Sequence, residues 1–405
     1  MNPLKDKKIL LGITGSIAAY KAAEIASSLT KSGAIVNAVL TPGGEKFITP
    51  LTLHSVTGRH ASVDKDLWEG EQHVTHIELG HNSDLIVIAP ASADFIAKIT
   101  HGFGDSLLAL AVLAGHCPVL VAPAMDGDMY LNQATQENIA QLMKRDFQII
   151  GPASGHLASG LVGVGRMSDP QEILGAIRYT LSRGGILKNK KILVTAGGTQ
   201  EAIDPVRIIS NRSSGKQGYA IAQAALDLGA DVTLITTVTT LPIPYGCKVV
   251  YVKSAKEMQN AIFENLTDIN ALIMCAAVAD FRPEVSEKEK IKKDGSELLL
   301  RLEPTEDILL EVAKKRYDYT KLNAVIGFAA ESENLIKNAE NKLNKKKLDM
   351  IVANDISGKE SGFESDKNQA CFLFPDGSKR DLPLMGKDQL AELIMEEITK
   401  IIIKQ

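Results

Sequence analysis

The sequence of 405 residues contains few cysteines and no long hydrophobic run. Its four cysteines lie far apart and show no CxxC spacing, which is typical of reduced thiols in the cytosol and disfavours a zinc site. Every apolar run is shorter than the roughly 18 residues that a membrane-spanning helix needs, and the N-terminus lacks the features of a signal peptide. We therefore expect a cytoplasmic protein without a membrane segment.

A strong excess of charge of either sign is also missing. The formal net charge is −4 and the positive residues are spread along the chain, so the sequence does not predict binding to nucleic acid. What the sequence does have is a hydrophobic content of 45%. A chain of this length and composition can form two domains of roughly 180 to 220 residues.

Both halves of the chain open with the same pattern of strand, loop, helix and strand. In the first half, the apolar run at 8–11 enters the loop GITGSIAA, and a helix-like stretch leads to a second apolar run, AIVNAVLT. In the second half, the run at 191–194 enters TAGGT, and the helix-like KQGYAIAQAALDLG leads to ADVTLIT. The glycine-rich, basic segment 182–191 is typical of an exposed connection. We predict two domains, 1–186 and 187–405.

The predicted fold class is α/β, with two doubly wound, Rossmann-like domains. Further apolar runs alternate with helical stretches, which indicates parallel sheets that bind ligands at the carboxyl ends of their strands. These additional buried strands are predicted at 84–90, 117–124, 270–277, 324–330 and 349–355.

Polar and glycine-rich segments follow the predicted strands of the N-terminal half. Gly12, Gly15 and Ser16 lie between a strand and a helix, where backbone N–H groups can bind a phosphate, although a glycine turn without any ligand has the same pattern. Later strand ends carry APASADF, APAMDGDMY and GHLASGLVGVGRM, and His76 occurs within THIEL. Taken alone, His76 would more often be structural than catalytic.

In this order, the motifs resemble the flavin-dependent cysteine decarboxylases, in particular the phosphopantothenoylcysteine decarboxylase half of the bifunctional coenzyme A enzymes, over about residues 1–180. The resemblance implies a flavodoxin-like flavoprotein fold with FMN. In that family the flavin oxidises the cysteinyl group of the substrate, carbon dioxide leaves to give an enethiol, and the reduced flavin returns the hydride. His76 matches the active-site histidine. The FMN-binding residues implied by the resemblance are Gly15, Ser16, Ile17, Thr41, Ser92, Ala93 and Asp94.

Two catalytic positions differ from the family pattern. Asp126 stands where the family has an asparagine, and an ionised aspartate accepts hydrogen bonds but repels a substrate carboxylate. Ser159 stands where a cysteine donates the final proton, and a serine hydroxyl is a much weaker acid than a thiol. We interpret the N-terminal half as an active variant that uses both residues. Two alternatives stay open, a flavin-binding domain that no longer decarboxylates and a regulatory module.

The segment TAGGTQEAIDPVRIISNRSSGKQGYAIA at 195–222 is the most specific in the chain. It contains no GxxxxGK[ST], so a P-loop NTPase is disfavoured. It also lacks the GxGxxG turn of dinucleotide-binding domains, which argues against a nicotinamide dehydrogenase.

This segment resembles the phosphopantothenate–cysteine ligase half of the same bifunctional enzymes, and the resemblance continues to about residue 398 through AAVADFRP, EKIKKDG, GFAAES and KKKLDMIVANDIS. It implies that CTP activates the carboxylate of 4'-phosphopantothenate as an acyl-cytidylate, which the amine of cysteine then attacks. We expect Mg²⁺ because a triphosphate needs charge compensation, with metal ligands unknown. Family members form homo-oligomers that can reach a dodecamer, and we expect the same here.

Matching residue by residue, Asn211 is implied to hold the activated acyl group, and Lys290 to neutralise charge as the carboxylate attacks the nucleotide. Without the resemblance, Asn211 would be an ordinary loop residue and Lys290 a solvated lysine. Lys342 and Lys346 are spaced i, i+4, so a helix would place both on one face. The implied nucleotide-binding residues are Met274, Cys275, Ala276, Asp280, Lys290, Glu306, Asp307, Ile308, Leu309, Phe328, Lys342 and Lys346.

Overall fold

A computed structural model describes residues 2–69, 74–158, 160–293, 297–331, 334–355 and 366–403. They form two compact units, one of residues 2–182 and one that begins at Arg183. The predicted domain boundary at 186/187 lies four residues further on and stays a prediction. None of the helices in the described part of the chain is long and apolar enough to cross a membrane.

The N-terminal unit is built on one parallel sheet of six strands. Its strands are β1 Lys8–Ile13, β2 Ile35–Leu40, β3 Ser62–Val63, β4 Leu85–Ala91, β5 Val119–Pro123 and β6 Gln148–Ile149. A separate antiparallel hairpin follows, formed by β7 Ala153–His156 and β8 Val162–Arg166. The helices are α1 Tyr20–Lys31, α2 Pro50–Thr57, α3 Asp66–Glu69, α4 Thr75–His81, α5 Ala93–His101, α6 Leu107–Ala114, α7 Gly127–Leu131, α8 Gln133–Lys144 and α9 Pro170–Ser182.

The order of the six strands is β3-β2-β1-β4-β5-β6, which is a doubly wound arrangement. Without the two-residue edge strand β3, the order is the one found in flavodoxin-like folds. All seven residues of β4 are buried, as the continuous apolar run predicts for a strand covered on both faces. The chain reverses its winding between β1 and β4, and a ligand site is expected at the carboxyl ends of these two strands.

The second unit contains the larger sheet. Its parallel strands are β9 Lys191–Ala196, β12 Asp231–Thr236, β13 Lys248–Tyr251, β14 Ala271–Met274, β17 Ala324–Glu331 and β18 Met350–Asp355, and β20 Ala370–Leu373 and β21 Lys379–Asp381 continue it in antiparallel orientation. Small paired strands are β10 Gln200–Ala202 with β11 Ile208–Ser210, β15 Phe281–Pro283 with β16 Leu302–Pro304, and β19 Lys367–Asn368 with β22 Met385–Gly386. The helices are α10 Lys216–Asp227, α11 Ala255–Asn265, α12 Ile308–Lys315, α13 Leu335–Lys345 and α14 Lys387–Ile403.

The order of this sheet is β13-β12-β9-β14-β17-β18-β20-β21. Its six parallel strands repeat the doubly wound order of the first unit, which confirms the α/β fold class predicted for both halves. Every strand predicted in the second half is present, with small shifts at the ends. The two antiparallel strands at the edge are additional.

The connection between the two halves differs in one respect from the exposed segment that the sequence predicts. Most of its residues have some exposure, but the side chain of Leu187 is completely buried. The backbone N–H of Leu187 donates to the carbonyl oxygen of Leu228 at 2.8 Å. Leu187 therefore packs into the second unit, whereas the neighbouring Ile186 is 61% exposed.

Candidate functional site

In the N-terminal unit, a threonine hydroxyl joins the ends of β1 and β4. The hydroxyl of Thr14 donates to the carbonyl oxygen of Pro90 at 2.8 Å and accepts from the backbone N–H of Ser92 at 2.8 Å. The side chain of Thr14 is buried. This pair of bonds fixes the loop after β1 against the loop after β4, where the sequence predicts two parts of the flavin site.

The loop after β1 also meets the loop after β2. A Cβ atom added to Gly15 would lie 3.2 Å from the Cα of Gly43, so the two backbones approach closely because neither residue has a side chain. The hydroxyl of Thr41 accepts from the N–H of Gly44 at 3.2 Å. Ser16 accepts from the N–H of Ala18 at 3.3 Å and caps the short turn Ile17–Ala19 that leads into α1. Glycine loops before a helix fit a phosphate group.

The residues predicted after β4 form the start of α5. Ser92 caps this helix by accepting from the N–H of Phe95 at 3.3 Å, and Ala93 is its first residue. Asp94 is exposed and lies 3.5 Å from the amine of Lys98. The structure thus brings the predicted FMN-binding residues to the carboxyl ends of β1, β2 and β4.

His76 lies in the first turn of α4, outside these strand ends. Its Nδ1 atom is buried and has no hydrogen-bond partner among the described residues. A buried ring nitrogen without a partner is costly, so a ligand or a water molecule is the natural partner for it. This unsatisfied atom fits a histidine that contacts a bound molecule.

Asp126 follows β5 and caps α7. Its carboxylate accepts from the N–H of Asp128 at 3.1 Å, a role that asparagine performs equally well. The neighbouring Met125 donates its N–H to the carbonyl oxygen of Gly165 in β8 at 3.0 Å. The hairpin of β7 and β8 is therefore attached to the loop of Asp126. Ser159, which comes between β7 and β8 in the sequence, lies outside the described residues.

The second unit contains a cavity of about 460 Å³ at the carboxyl ends of β14, β17 and β18 and beside the first turn of α10. The structure brings nearly all the predicted ligase residues together around it. These residues are Asn211, Met274, Cys275, Ala276, Asp280, Glu306, Asp307, Ile308, Leu309, Phe328, Lys342 and Lys346.

The segment after β14 forms the floor of this cavity. The backbone N–H of Ala276 donates to the hydroxyl of Thr195 at 3.1 Å, which fixes the strand end against β9. Burial raises the pKa of the Cys275 thiol to about 12, and the nearby Lys387 opposes this only in part. The raised pKa favours the neutral form of the Cys275 thiol, which can line a ligand site.

The amide of Asn211 is held against the same segment. Its Nδ2 donates to the carbonyl oxygens of Val278 at 3.0 Å and of Ala277 at 3.4 Å. The amide hydrogens are thus occupied by the protein. The oxygen of Asn211 is the group that can accept a hydrogen bond from a ligand.

On the opposite side of the cavity, Asp307 connects two helices. Its carboxylate caps α12 by accepting from the N–H of Leu310 at 3.2 Å, and it lies 3.0 Å from the amine of Lys346. Lys342 and Lys346 both line the cavity; Lys342 lies in α13, and Lys346 directly follows the last residue of that helix. Hydrogen bonds from Gln259 and, to a smaller extent, from Lys256 lower the pKa of the neighbouring Glu306.

Lys290 is not among the residues that line the cavity. It is exposed and lies in a loop that is tethered through its neighbour Ile291. The N–H of Ile291 donates to the carboxylate of Asp204 at 3.2 Å, and the guanidinium of Arg207 donates to the carbonyl oxygen of Ile291 at 3.3 Å. In this conformation the loop that carries Lys290 is therefore held by Asp204 and Arg207, which sequence reasoning did not single out.

Several further residues around the cavity were also missed. Asn354 and Lys216 belong to motifs that support the resemblance, VANDIS and SSGK, but neither was selected as a site residue. Lys387, which is 8% exposed, belongs to no motif and carries no signal in the sequence. No group of three or more His, Cys, Asp or Glu side chains that could hold a metal ion occurs in the part of the chain that the structure describes.

Two doubly wound units, one with closely approaching glycine loops at its strand ends and one with a cavity at its strand ends, define an α/β protein of the class that binds ligands at the carboxyl ends of parallel strands. A family model described as "Flavoprotein" matches residues 2–182, and one described as "DNA/pantothenate metabolism flavoprotein C-terminal domain" matches residues 187–402. The chain is also 44% identical over 400 residues to the "Coenzyme A biosynthesis bifunctional protein CoaBC" of Vibrio vulnificus (strain YJ016), covering 98% of both chains.

The protein of the same name from Escherichia coli (strain K12) is 43% identical over 398 residues, covering 98% of this chain and 97% of the relative. Solved structures are also similar to parts of the chain. A crystal structure of the C-terminal domain of CoaBC is 37% identical, with a TM-score of 0.47, and the match covers 55% of this chain and all of that one. A cysteine-to-serine mutant of PPC decarboxylase, complexed with pantothenoylaminoethenethiol, is 32% identical, with a TM-score of 0.40, covering 43% and 97% of the two chains.

The chain belongs to the family of coenzyme A biosynthesis bifunctional proteins. It is an enzyme with a ligase half and a flavoprotein decarboxylase half.

Proposed function

We propose that the second unit joins 4'-phosphopantothenate to cysteine at the expense of CTP. The observation that carries this proposal is the cavity of about 460 Å³, around which twelve of the predicted ligase residues meet. Its volume lies within the usual range for small-molecule sites, and its position at the strand ends is the usual place for a ligand in a doubly wound sheet.

Ligation takes place in two steps. The carboxylate of 4'-phosphopantothenate attacks the α-phosphate of CTP, which forms an acyl-cytidylate and releases pyrophosphate. The amine of cysteine then attacks the acyl carbon, an amide bond forms and CMP leaves. The amide oxygen of Asn211 would accept a hydrogen bond in the acyl-transfer step, and Lys342 and Lys346 would neutralise the triphosphate.

Lys290 moves during the reaction. Because its loop is attached through Ile291 to Asp204 and Arg207, the ammonium group can approach the α-phosphate only when the loop closes over the bound nucleotide. Loops that close on substrate bring catalytic charges to a site from which water has been removed. Mg²⁺ would bind through the triphosphate oxygens and compensate their charge.

The N-terminal unit would decarboxylate the 4'-phosphopantothenoylcysteine that the second unit produces, to give 4'-phosphopantetheine. Gly15, Ser16 and Ile17 would hold the phosphate of FMN, and Thr41 and the segment 92–94 would complete the site. The close approach of Gly15 and Gly43, and the unsatisfied Nδ1 of His76, fit such a cofactor. When bound, FMN supplies the two-electron oxidation of the cysteinyl group that lets carbon dioxide leave.

The remaining work falls to protein side chains. His76 would contact the reacting substrate through its buried Nδ1 atom, and Asp126, at the start of α7, would orient the substrate. Ser159 would deliver the final proton to the enethiol. The alternative of a regulatory N-terminal unit is not favoured, since relatives that match 98% of the chain are bifunctional.

We further propose that the domains are 1–186 and 187–405, and that the protein is a cytoplasmic homo-oligomer, with a dodecamer as the expected assembly. Sedimentation velocity of the purified protein tests the assembly. A monomer at micromolar concentration would contradict it.

Separate assays test the two activities. With 4'-phosphopantothenate, cysteine and Mg²⁺, we expect pyrophosphate release with CTP that exceeds release with ATP, and a large loss in the Asn211→Ala variant. With synthetic phosphopantothenoylcysteine and no nucleotide, we expect carbon dioxide and a yellow, flavin-containing protein. Equal rates with both nucleotides would refute the CTP assignment, and a colourless, inactive protein would refute the decarboxylase.

A further inference from the structure

One arginine of the ligase cavity has no role so far. Arg212 lines the cavity and is exposed, and its guanidinium forms no hydrogen bond or ion pair with another described residue. Two lysines of the cavity are paired instead, Lys216 with Asp366 at 2.6 Å and Lys346 with Asp307 at 3.0 Å. All the donors of Arg212 are therefore available to a ligand.

The backbone of Arg212 is held in place by its neighbour Asn211. The amide of Asn211 donates to the carbonyl oxygens of Val278 and Ala277 at 3.0 and 3.4 Å. A Cβ atom on Gly198 would overlap the carbonyl oxygen of Asn211, so the two backbones touch because Gly198 has no side chain. Asn211 is thus fixed through its side chain and its backbone, and the Cα of Arg212 lies only about 3.8 Å further along the chain.

The chain on the other side of Arg212 is fixed as well. Two serines later, Gly215 caps α10 with a φ of 74°, and a Cβ atom there would meet the side chain of Val238 at 2.7 Å. Lys387 also forms no ion pair among the described residues, but it is held beside α10, where its carbonyl oxygen accepts from Gln217 at 3.2 Å. Arg212 is therefore the cation that stands next to Asn211.

This position suits the amino-acid substrate of the proposed ligation. The amine of cysteine attacks the acyl carbon, which the mechanism places beside the oxygen of Asn211. The carboxylate of cysteine is attached to the carbon that bears the attacking nitrogen, so it comes within reach of the side chain that follows Asn211. A guanidinium presents a planar fork of N–H donors that binds both oxygens of a carboxylate.

A fixed carboxylate would also decide which group of cysteine reacts. The thiol, with an ordinary pKa near 8.5, is a strong competing nucleophile, yet the product of the proposed reaction is an amide. Two parallel hydrogen bonds from Arg212 would hold the carboxylate in one orientation and point the neighbouring amine at the acyl carbon. Orientation of this kind contributes to the rate because the reacting atoms no longer have to find each other.

We propose that Arg212 binds the carboxylate of cysteine and thereby determines which amines the ligase accepts. The proposal rests on the proposed ligase function and adds the residue that recognises its amino-acid substrate.

The test compares two amines that differ in the carboxylate alone, cysteine and cysteamine. Pyrophosphate release is measured for the full-length protein and its Arg212→Met variant, with saturating CTP, 4'-phosphopantothenate and Mg²⁺ and a varied concentration of either amine. We expect the KM for cysteine to rise about tenfold to a hundredfold, as the loss of a charge-assisted contact predicts. The KM for cysteamine should stay unchanged, because cysteamine offers Arg212 no carboxylate.

Two further variants sharpen the comparison. Arg212→Lys keeps the charge but not the planar fork, so it should recover part of the affinity for cysteine. Arg301→Met is the matched control, since Arg301 is an exposed arginine of the same unit that does not line the cavity. Its KM values for both amines should equal those of the wild type.

The first step of the reaction separates recognition of cysteine from recognition of the other substrates. Without any amine, a single turnover should release pyrophosphate as the acyl-cytidylate forms. The amplitude and rate of this burst should be the same in the wild type and in Arg212→Met, because cysteine takes no part in it. The melting temperatures should also agree, since Arg212 is exposed and without a partner among the described residues.

The proposal is overturned if Arg212→Met uses cysteine with the wild-type KM, or if its KM rises equally for cysteamine. A smaller burst in the variant would place the guanidinium on CTP or 4'-phosphopantothenate and would overturn it too. If the wild type does not use cysteamine, the carboxylate is essential, and a raised KM for cysteine with an unchanged burst is the supporting result. Wild-type protein that releases no pyrophosphate with cysteine would refute the ligase itself.

Discussion

Replacement of Gly165 by alanine tests whether the hairpin of β7 and β8 must stay attached to the loop of Asp126. Gly165 has a φ of 147°, which side chains other than glycine rarely adopt. A Cβ atom at this position would also overlap the carbonyl oxygen of Met125. The methyl group therefore has to push the hairpin away from the loop.

The cost follows from two contributions. The hydrogen bond from the N–H of Met125 to Gly165 is broken, at about 1 kcal/mol, and a strained backbone costs about 1 to 3 kcal/mol. The sum of about 2 to 4 kcal/mol would lower the melting temperature of a unit of this size by roughly 5 to 15 °C. Because Ser159 comes between β7 and β8 in the sequence, we also expect decarboxylation to fall at least tenfold.

Gly163→Ala is the matched control, since it lies in the same strand and its Cβ would meet no atom closer than 3.9 Å. Melting curves, carbon dioxide release from phosphopantothenoylcysteine and pyrophosphate release from CTP are measured for both variants. Pyrophosphate release should stay at the wild-type level in both. Identical melting temperature and decarboxylation in the two variants would refute the role of the hairpin contact.

Two further substitutions test one site each. Asp204→Asn should leave pyrophosphate release at least as fast as in the wild type, with little change in CTP binding, because the loop of Lys290 loses the tether that holds it outside the cavity. Burial raises the pKa of Asp204, but three backbone N–H donors and the charge of Arg207 outweigh burial and hold the pKa below 3.8. The ionised carboxylate of Asp204 therefore stabilises the folded protein above that pH, and this stabilisation is lost as the pH falls. Urea unfolding at pH 7 and pH 3 should show a smaller acid loss in the variant; an equal loss would contradict this. Asp126→Asn should keep the cap of α7 and its melting temperature, and increase carbon dioxide release because an amide can donate to the substrate carboxylate; a decrease would contradict this.

The strands of both sheets could be predicted because parallel strands covered by helices are continuous apolar runs. β4, buried along its whole length, is a clear example. The antiparallel strand β20 was not predicted, although its four residues ACFL are all buried, because so short a run cannot be distinguished from a helix or a loop by periodicity.

The ligase cavity could be predicted as far as its residues lie in contiguous motifs at strand ends. Lys387 could not be predicted as a residue of the cavity. It is more than a hundred residues from Cys275 in the sequence and reaches the cavity only through the packing of α14 on α10. Asp204 was missed for a similar reason, since its importance lies in bonds to a loop that follows 87 residues later. Contacts of this kind arise from tertiary structure and leave no local pattern.

The central claim is that one chain carries out both reactions in sequence. The most direct test incubates the purified protein with 4'-phosphopantothenate, cysteine, CTP and Mg²⁺, and follows pyrophosphate, carbon dioxide and the thiol product by mass spectrometry. We predict one pyrophosphate and one carbon dioxide for each 4'-phosphopantetheine formed. Absence of pyrophosphate would contradict the ligase, and accumulation of phosphopantothenoylcysteine without carbon dioxide would contradict the decarboxylase.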